Sequence, residues 1–287
     1  MRNKYEIFES MREYQVEHKY NLLQESLNTM DIILEANEEK KEGLVKRAIT
    51  FIKDMWKKFV DWLGKLLKRN IQFTESLDEA LEKYNLMDVQ HKLYDYKNET
   101  KVSYYKHEMI TVIAINFRSK YNLIKNVSLQ HTQIEDKEDA SFFNKDRYYK
   151  KLGVKNFEEI AEMVKQDCGF SESTKREELL YKALGGISFA KTVSDIDKYN
   201  DVLEFVKKDI DDFSSKEITL IKSNPNALSE QMSYFKEGVR VLSELIISYE
   251  ACVAKVVSHD TEILKRAIHE YEKIINSKEY KNAQKRR

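Results

Sequence analysis

A few serine–lysine, histidine–aspartate and cysteine residues are the groups in this chain with covalent chemistry in them, and their spacing decides whether they can use it. Ser188-Phe189-Ala190-Lys191 has the serine-x-x-lysine spacing that lets a lysine one helical turn away activate a serine nucleophile, and Ser103–Lys106 repeats it. Neither is accompanied by the Ser-Asp-Asn or Lys-Thr-Gly elements that complete such a site. His259-Asp260 sets one imidazole beside one carboxylate without a nucleophile, which is not a triad. Acidic pairs such as Asp211-Asp212 and Glu158-Glu159 read as solvated helix faces rather than general acids. Cys168 and Cys252 have no second cysteine nearby in sequence, and the six histidines form no metal-binding spacing, so two buried, idle thiols are expected. Phosphate loops, dinucleotide fingerprints, zinc-protease helices and nucleophile elbows are all absent from the sequence. The expectation is a protein that is not an enzyme, with no catalytic residues, no cofactor and no metal.

The composition says what must position whatever function there is. The 287 residues carry 49 basic and 49 acidic side chains, 34% charged in all, with seven glycines and one proline. Turn-rich β-sandwiches and doubly wound α/β enzymes need far more Gly and Pro at their corners and loops. Long helices are the expected reading. The longest uncharged stretch in the apolar part of the chain, Met109–Phe117, is far short of the roughly 20 residues that cross a membrane. The charged start MRNKYEIFES shows no secretory signal, and two cysteines in so long a chain point to a reducing compartment.

The clearest helix lies near the C-terminus. Leu228, Met232, Phe235, Val239, Leu242, Ile246, Tyr249, Val253 and Val256, then Asp260, Ile263, Ala267, Glu270 and Ile274, alternate in steps of four and three. Only Asp260 and Glu270 are polar, which makes this a heptad seam. A second seam runs through Ile196, Tyr199, Leu203, Val206, Ile210, Phe213 and Leu220, with Glu217 its polar step and Ser194 with Asp197 a plausible start. Between them Ser223-Asn224-Pro225-Asn226 holds the lone proline, which is tolerated at a first helical turn. A short polar loop between heptad helices predicts an antiparallel hairpin.

Residues 40–70 form a different kind of helix. Val45, Ala48, Ile52, Met55, Trp56, Phe59, Leu63, Leu66 and Leu67 share one face, and ten basic residues against three acidic ones give a local net of +7. Such a face has two destinations. It packs on the protein's own core, with the lysines as its solvated side, or it meets a membrane surface, a calmodulin-like groove or a partner helix. In the middle, Thr74–Tyr84, Phe157–Lys165 and Thr174–Leu184 read as short helices, the last ended by Gly185-Gly186. Met109–Ile124 has helical spacing despite the β-branched run Ile110–Ile113, and residues 130–139 read as a loop. The basic tail KEYKNAQKRR, net +4, is suited to non-specific phosphate contact or is simply a solubilising end.

The fold expected is therefore mainly α. It has a long C-terminal antiparallel coiled-coil helical hairpin and a smaller helical middle region that leaves room for an α+β element. The divisions are 1–35, an acidic candidate propeptide; 36–70, the basic amphipathic helix; 71–190, the central region; and 191–287, the hairpin with its basic tail. Trp56, Trp62, Leu242, Ile246, Tyr249 and Val253 are the expected interface residues.

The first eighty residues repeat one pattern, Leu or Ile two places before Glu with a small residue after it. It occurs at Ile7–Ser10, Leu23–Ser26, Ile33–Ala36 and Leu77–Ala80. This resembles the site cut by the head-maturation protease of large contractile-tailed bacteriophages. The start of the chain, with Tyr5 and Phe8 three apart after a basic residue and then Glu9-Ser10, resembles the targeting peptide of internal head proteins of those phages. Ser follows Glu at the first two matches where Ala is usual, which leaves Glu35–Ala36 as the expected cut. The resemblance implies a virion structural or internal head protein, assembled in the host cytoplasm, targeted to the prohead and processed after Glu35. Its partners would be other virion or scaffold proteins and the head-maturation protease, with a second copy of itself and non-specific nucleic-acid or membrane-surface contact also expected. The competing readings are a membrane-active effector using the 40–70 helix and a coiled-coil module that binds a partner along the hairpin.

Overall fold

The computed structural model describes residues 41–105, 109–130, 143–169 and 176–284. The helices are α1 (Lys41–Lys83), α2 (Leu86–Asp95), α3 (Met109–Gln130), α4 (Asp146–Leu152), α5 (Ile160–Asp167), α6 (Leu180–Gly186), α7 (Phe189–Ser223), α8 (Leu228–Asn276) and α9 (Lys278–Gln284). Two short strands, β1 (Lys101–Tyr104) and β2 (Arg176–Leu179), are the strands among the described residues. The fold is mainly α with long C-terminal helices and one small two-stranded sheet.

The C-terminal hairpin is present. α7 ends at Ser223, Pro225 opens a single 3-10 turn over Pro225–Ala227, and α8 begins at Leu228. The helices run antiparallel: Thr192 near the start of α7 reaches Asp260 far along α8, while Phe213 and Phe235 near the turn meet through Trp56. The seams are not closed against each other alone. α3 lies against both long helices, and Phe117 at its centre touches Tyr199 of α7 and Tyr249 of α8 at ring-centroid distances of 6.0 and 5.4 Å. α8 is buried well beyond its heptad positions, at Val241, Leu245, Cys252, Val257, Leu264 and Ile268 among others. A two-helix coiled coil buries a narrow stripe; a helix covered on several sides buries most of its circumference.

Three local expectations change. The basic helix does not stop at 70 but continues to Lys83, taking in the separate helix read from Thr74. No breaker intervenes, Asn70 turns its amide to Asn200 at 2.9 Å instead of capping the helix, and Phe73, Leu77 and Ala80 prolong the buried face. Arg176–Leu179 is strand rather than helix, because it pairs antiparallel with β1 in the register Lys101↔Leu179 to Tyr104↔Arg176. α7 starts at Phe189, ahead of Ser194. The β-branched run 110–113 is helical, with Ile110 and Ile113 fully buried, since packing against α7 and α8 outweighs a weak β preference. Residues 131–139 lie outside the described residues.

Candidate functional site: the cationic face of the first helix

α1 divides cleanly into two sides. Ile52, Phe59 and Leu63 have no exposed surface, and Met55 and Trp56 have almost none. The Trp56 ring sits 5.0 Å from Phe213 and 5.7 Å from Phe235, so it plugs the space between the two long helices near their turn. The opposite side presents Lys46, Arg47, Lys53, Lys57, Lys58, Lys65 and Lys68, all exposed, with the exposed Asp54 and Asp61. At 3.6 residues per turn, Lys46, Lys53, Lys57 and Lys68 form one row. Arg47, Lys58 and Lys65 form another, and the two aspartates lie between them. With a rise of about 1.5 Å per residue, the strip from Lys46 to Lys68 is about 33 Å long, close to one turn of B-form DNA.

Two further observations bound the strip. Gly64 lies on it, in mid-helix, and a Cβ there would meet nothing within 4 Å. Glycine in a helix interior costs about 1 kcal/mol relative to alanine, and no packing here accounts for it. Beyond Asn70 the sign reverses. Glu75, Asp78 and Glu82 follow on α1, and across from them burial, with the nearby Asp201 and Asp78, pushes Asp197 above the usual carboxylate range. The tenth basic residue of the segment, Arg69, is not on the strip but turns inward to Glu250.

Of the expected interface residues, Trp56, Leu242, Ile246, Tyr249 and Val253 are buried in this chain's own core, and Trp62 is half-buried against Phe59. The helices that carry them pack within this chain, α1 on α7 and α8 on α3, α5 and α7. Glu35 and Ala36 lie outside the described residues. Ser188 sits at the start of α7, and Lys106 of the second serine–lysine match lies outside the described residues. His259 and Asp260 diverge: His259 Nδ1 faces the Ser103 carbonyl at 3.1 Å, whereas Asp260 accepts from the Thr192 hydroxyl at 3.0 Å. Adjacent helical residues point about 100° apart, so the two cannot work as a pair. In the described part of the basic tail, α9 docks Tyr280 within 6.5 Å of the Tyr96 ring and under Lys92.

The structure also brings together residues that no spacing joined. A groove of about 310 Å³ runs between β1 and α8, lined by Lys101, Ser103, Glu177, His259, Glu262 and Arg266. Its charges largely satisfy one another, with Lys101 3.7 Å from Glu177 and Arg266 2.7 Å from Glu262. Arg69, Asn70, Tyr199, Asn200 and Glu250 form a buried polar node between α1, α7 and α8. Cys168 at the end of α5 and Cys252 in the middle of α8 are both buried, on helices that pack together. Among the described residues no group of three or more His, Cys, Asp or Glu could hold a metal ion, and no helix is long and apolar enough to cross a membrane.

No family model matches this chain. No match is found among curated proteins or among solved structures either.

Proposed function

We propose that this chain is a non-enzymatic internal protein of a large contractile-tailed phage virion, carried into the prohead, trimmed after Glu35, and held against packaged nucleic acid by the cationic strip of α1. The observation that carries the reading is the division of α1. Its apolar face, Trp56 included, is engaged in the core, while its seven exposed cations face outward. An amphipathic helix that enters a bilayer needs its apolar face for the lipid. A helix that lies along a polyphosphate needs only charge.

The motif positions support the processing step. The match at Leu77–Ala80 lies inside α1 with Leu77 and Ala80 buried, where a protease that requires an extended strand has no access. Mass spectrometry of purified particles is expected to find a peptide beginning at Ala36 and none beginning at Ala80. A full-length N-terminus in the particle overturns the processing step.

The electrostatic step has its own test. The full chain is expected to retain duplex DNA at low salt, with log affinity falling linearly in log salt at about −0.9 per phosphate neutralised. Lys57→Glu with Lys58→Glu is expected to weaken retention and flatten that slope. Co-sedimentation with anionic vesicles but no DNA retention transfers the strip to a lipid surface and overturns the nucleic-acid assignment.

A further inference from the structure

We propose that α1 pairs with the same helix of a second copy of this chain, antiparallel about a twofold axis, through a seam of Lys57, Gly64, Ile71 and Asp78. The inference does not rest on the virion reading. The row of Arg47, Lys58 and Lys65 stays outside the seam, so the pair leaves it facing outward.

These four residues stand seven apart on the solvent side of one unbroken helix. A seven-residue step returns to nearly the same face, drifting by about 20°, a drift that a left-handed supercoil takes up. The first apolar face of α1 is engaged in the core, so this is a second stripe on the same helix. Ile71 is 48% exposed, a large apolar side chain left in water. Gly64, one heptad before it, offers a notch, because a Cβ there would meet nothing within 4 Å. One heptad further out in each direction the stripe carries opposite charges, Lys57 and Asp78, both exposed.

Reversing the helix about an axis between Leu67 and Lys68 matches each residue with its complement. Ile71 enters the notch at the partner's Gly64, and Lys57 faces the partner's Asp78. One turn further out Lys53 faces the partner's Glu82, and the twofold axis supplies every contact twice. Among the described residues no hydrogen bond or ion pair engages Lys53, Lys57, Asp78 or Glu82 within the chain, although all four are exposed. Asp54, Asp61 and Lys68 lie on the outer flank of the seam, where their side chains reach water. Other arrangements lose the match. A parallel pair sets Lys57 on Lys57 and Asp78 on Asp78, and an antiparallel pair slipped by one heptad sets Lys57 on Ile71 or Asp78 on Gly64. Exposed ion pairs are weak and screened by salt, so the pair is a salt-sensitive one.

Sedimentation equilibrium of the full chain is expected to show a dimer at low salt that dissociates as salt is raised. Zero-length carbodiimide coupling of that dimer is expected to join Lys57 to Asp78 and Lys53 to Glu82. Along one helix Lys57 and Asp78 are about 32 Å apart, so their link forms only between copies. Lys57→Glu alone and Asp78→Lys alone are each expected to shift the chain to monomer, and the two changes in one chain to restore the dimer. A chain that stays monomeric at low salt overturns the proposal. So does a dimer that neither single reversal weakens, a double variant that stays monomeric, or a dimer that couples without the Lys57–Asp78 link.

Discussion

The guanidinium of Arg69 on α1 donates to Glu250 Oε2 on α8 at 2.6 Å, inside the molecule and a chain distance of 181 residues away. Burial pushes the Glu250 carboxyl above its ordinary range, while Arg69, with Asn70 and Tyr199, pulls it back down. A buried pair of this kind adds little net stability over an apolar pair of the same shape, but breaking it strands a charge. Glu250→Ala is expected to destabilise the fold by about 3–5 kcal/mol, whereas Arg69→Met with Glu250→Leu recovers most of that loss. Denaturant unfolding of the parent chain and the two variants checks it. Equal losses in the single and double variants would mean the node contributes only packing.

Two glycines make a matched test of backbone and space. A Cβ on Gly238 of α8 would come 2.5 Å from the hydroxyl of Tyr148, a fully buried ring held by Ser128 at 2.9 Å and stacked near Tyr234. Gly238→Ala is expected to cost about 1–3 kcal/mol through overpacking. Gly64→Ala, in open space on the cationic strip, is expected to stabilise by about 0.5–1 kcal/mol. Thermal melting of both variants should shift in opposite directions.

Two buried acids in the long helices set a pH dependence. Burial raises Asp260 from 3.8 to about 7 and Glu217 from 4.5 to about 8. Below the unfolded values both states hold their protons and the stability is fully present. As pH rises through the window up to about 8, the unfolded chain releases protons that the folded chain keeps. Stability therefore falls with rising pH, by at most about 1.4 kcal/mol per pH unit for each group. Asp260→Asn keeps an acceptor for the Thr192 hydroxyl and is expected to flatten the curve up to about pH 7 and to be the more stable form at pH 8. Unfolding midpoints from pH 4 to 8 decide it, and parallel curves for the two proteins would refute the assignment.

Ile246 has no exposed surface and lies on the α8 seam. Ile246→Asp is expected to cost several kcal/mol, since it buries an unpaired carboxylate, and so to unfold the chain rather than detach a partner from it. Circular dichroism at 25 °C should show lost helix. A folded Asp variant with altered association would return this seam to an intermolecular role.

Elements whose own chemistry repeats are legible along the chain. The heptad runs of α7 and α8, the proline turn between them and the two-sided character of α1 are local regularities, and each appears where its period places it. Helical spacing also read α3 correctly through its β-branched run. What covers an apolar face is a different question, because a hydrophobic stripe carries no address. Trp56 suits a bilayer, a partner or a core equally well, and only the arrival of Phe213 and Phe235 from far along the chain decided for the core.

The strand Arg176–Leu179 was invisible for the same reason: four residues of ordinary helical composition become β because Lys101–Tyr104 lies alongside. Arg69, counted among the basic residues of its helix, is drawn inward by Glu250. The serine–lysine, histidine–aspartate and cysteine residues thus separate. Neighbours in sequence such as His259 and Asp260 are sent to different partners by the helical twist. Cys168 and Cys252, set apart by spacing along the chain, end up buried on two helices, α5 and α8, that pack on each other.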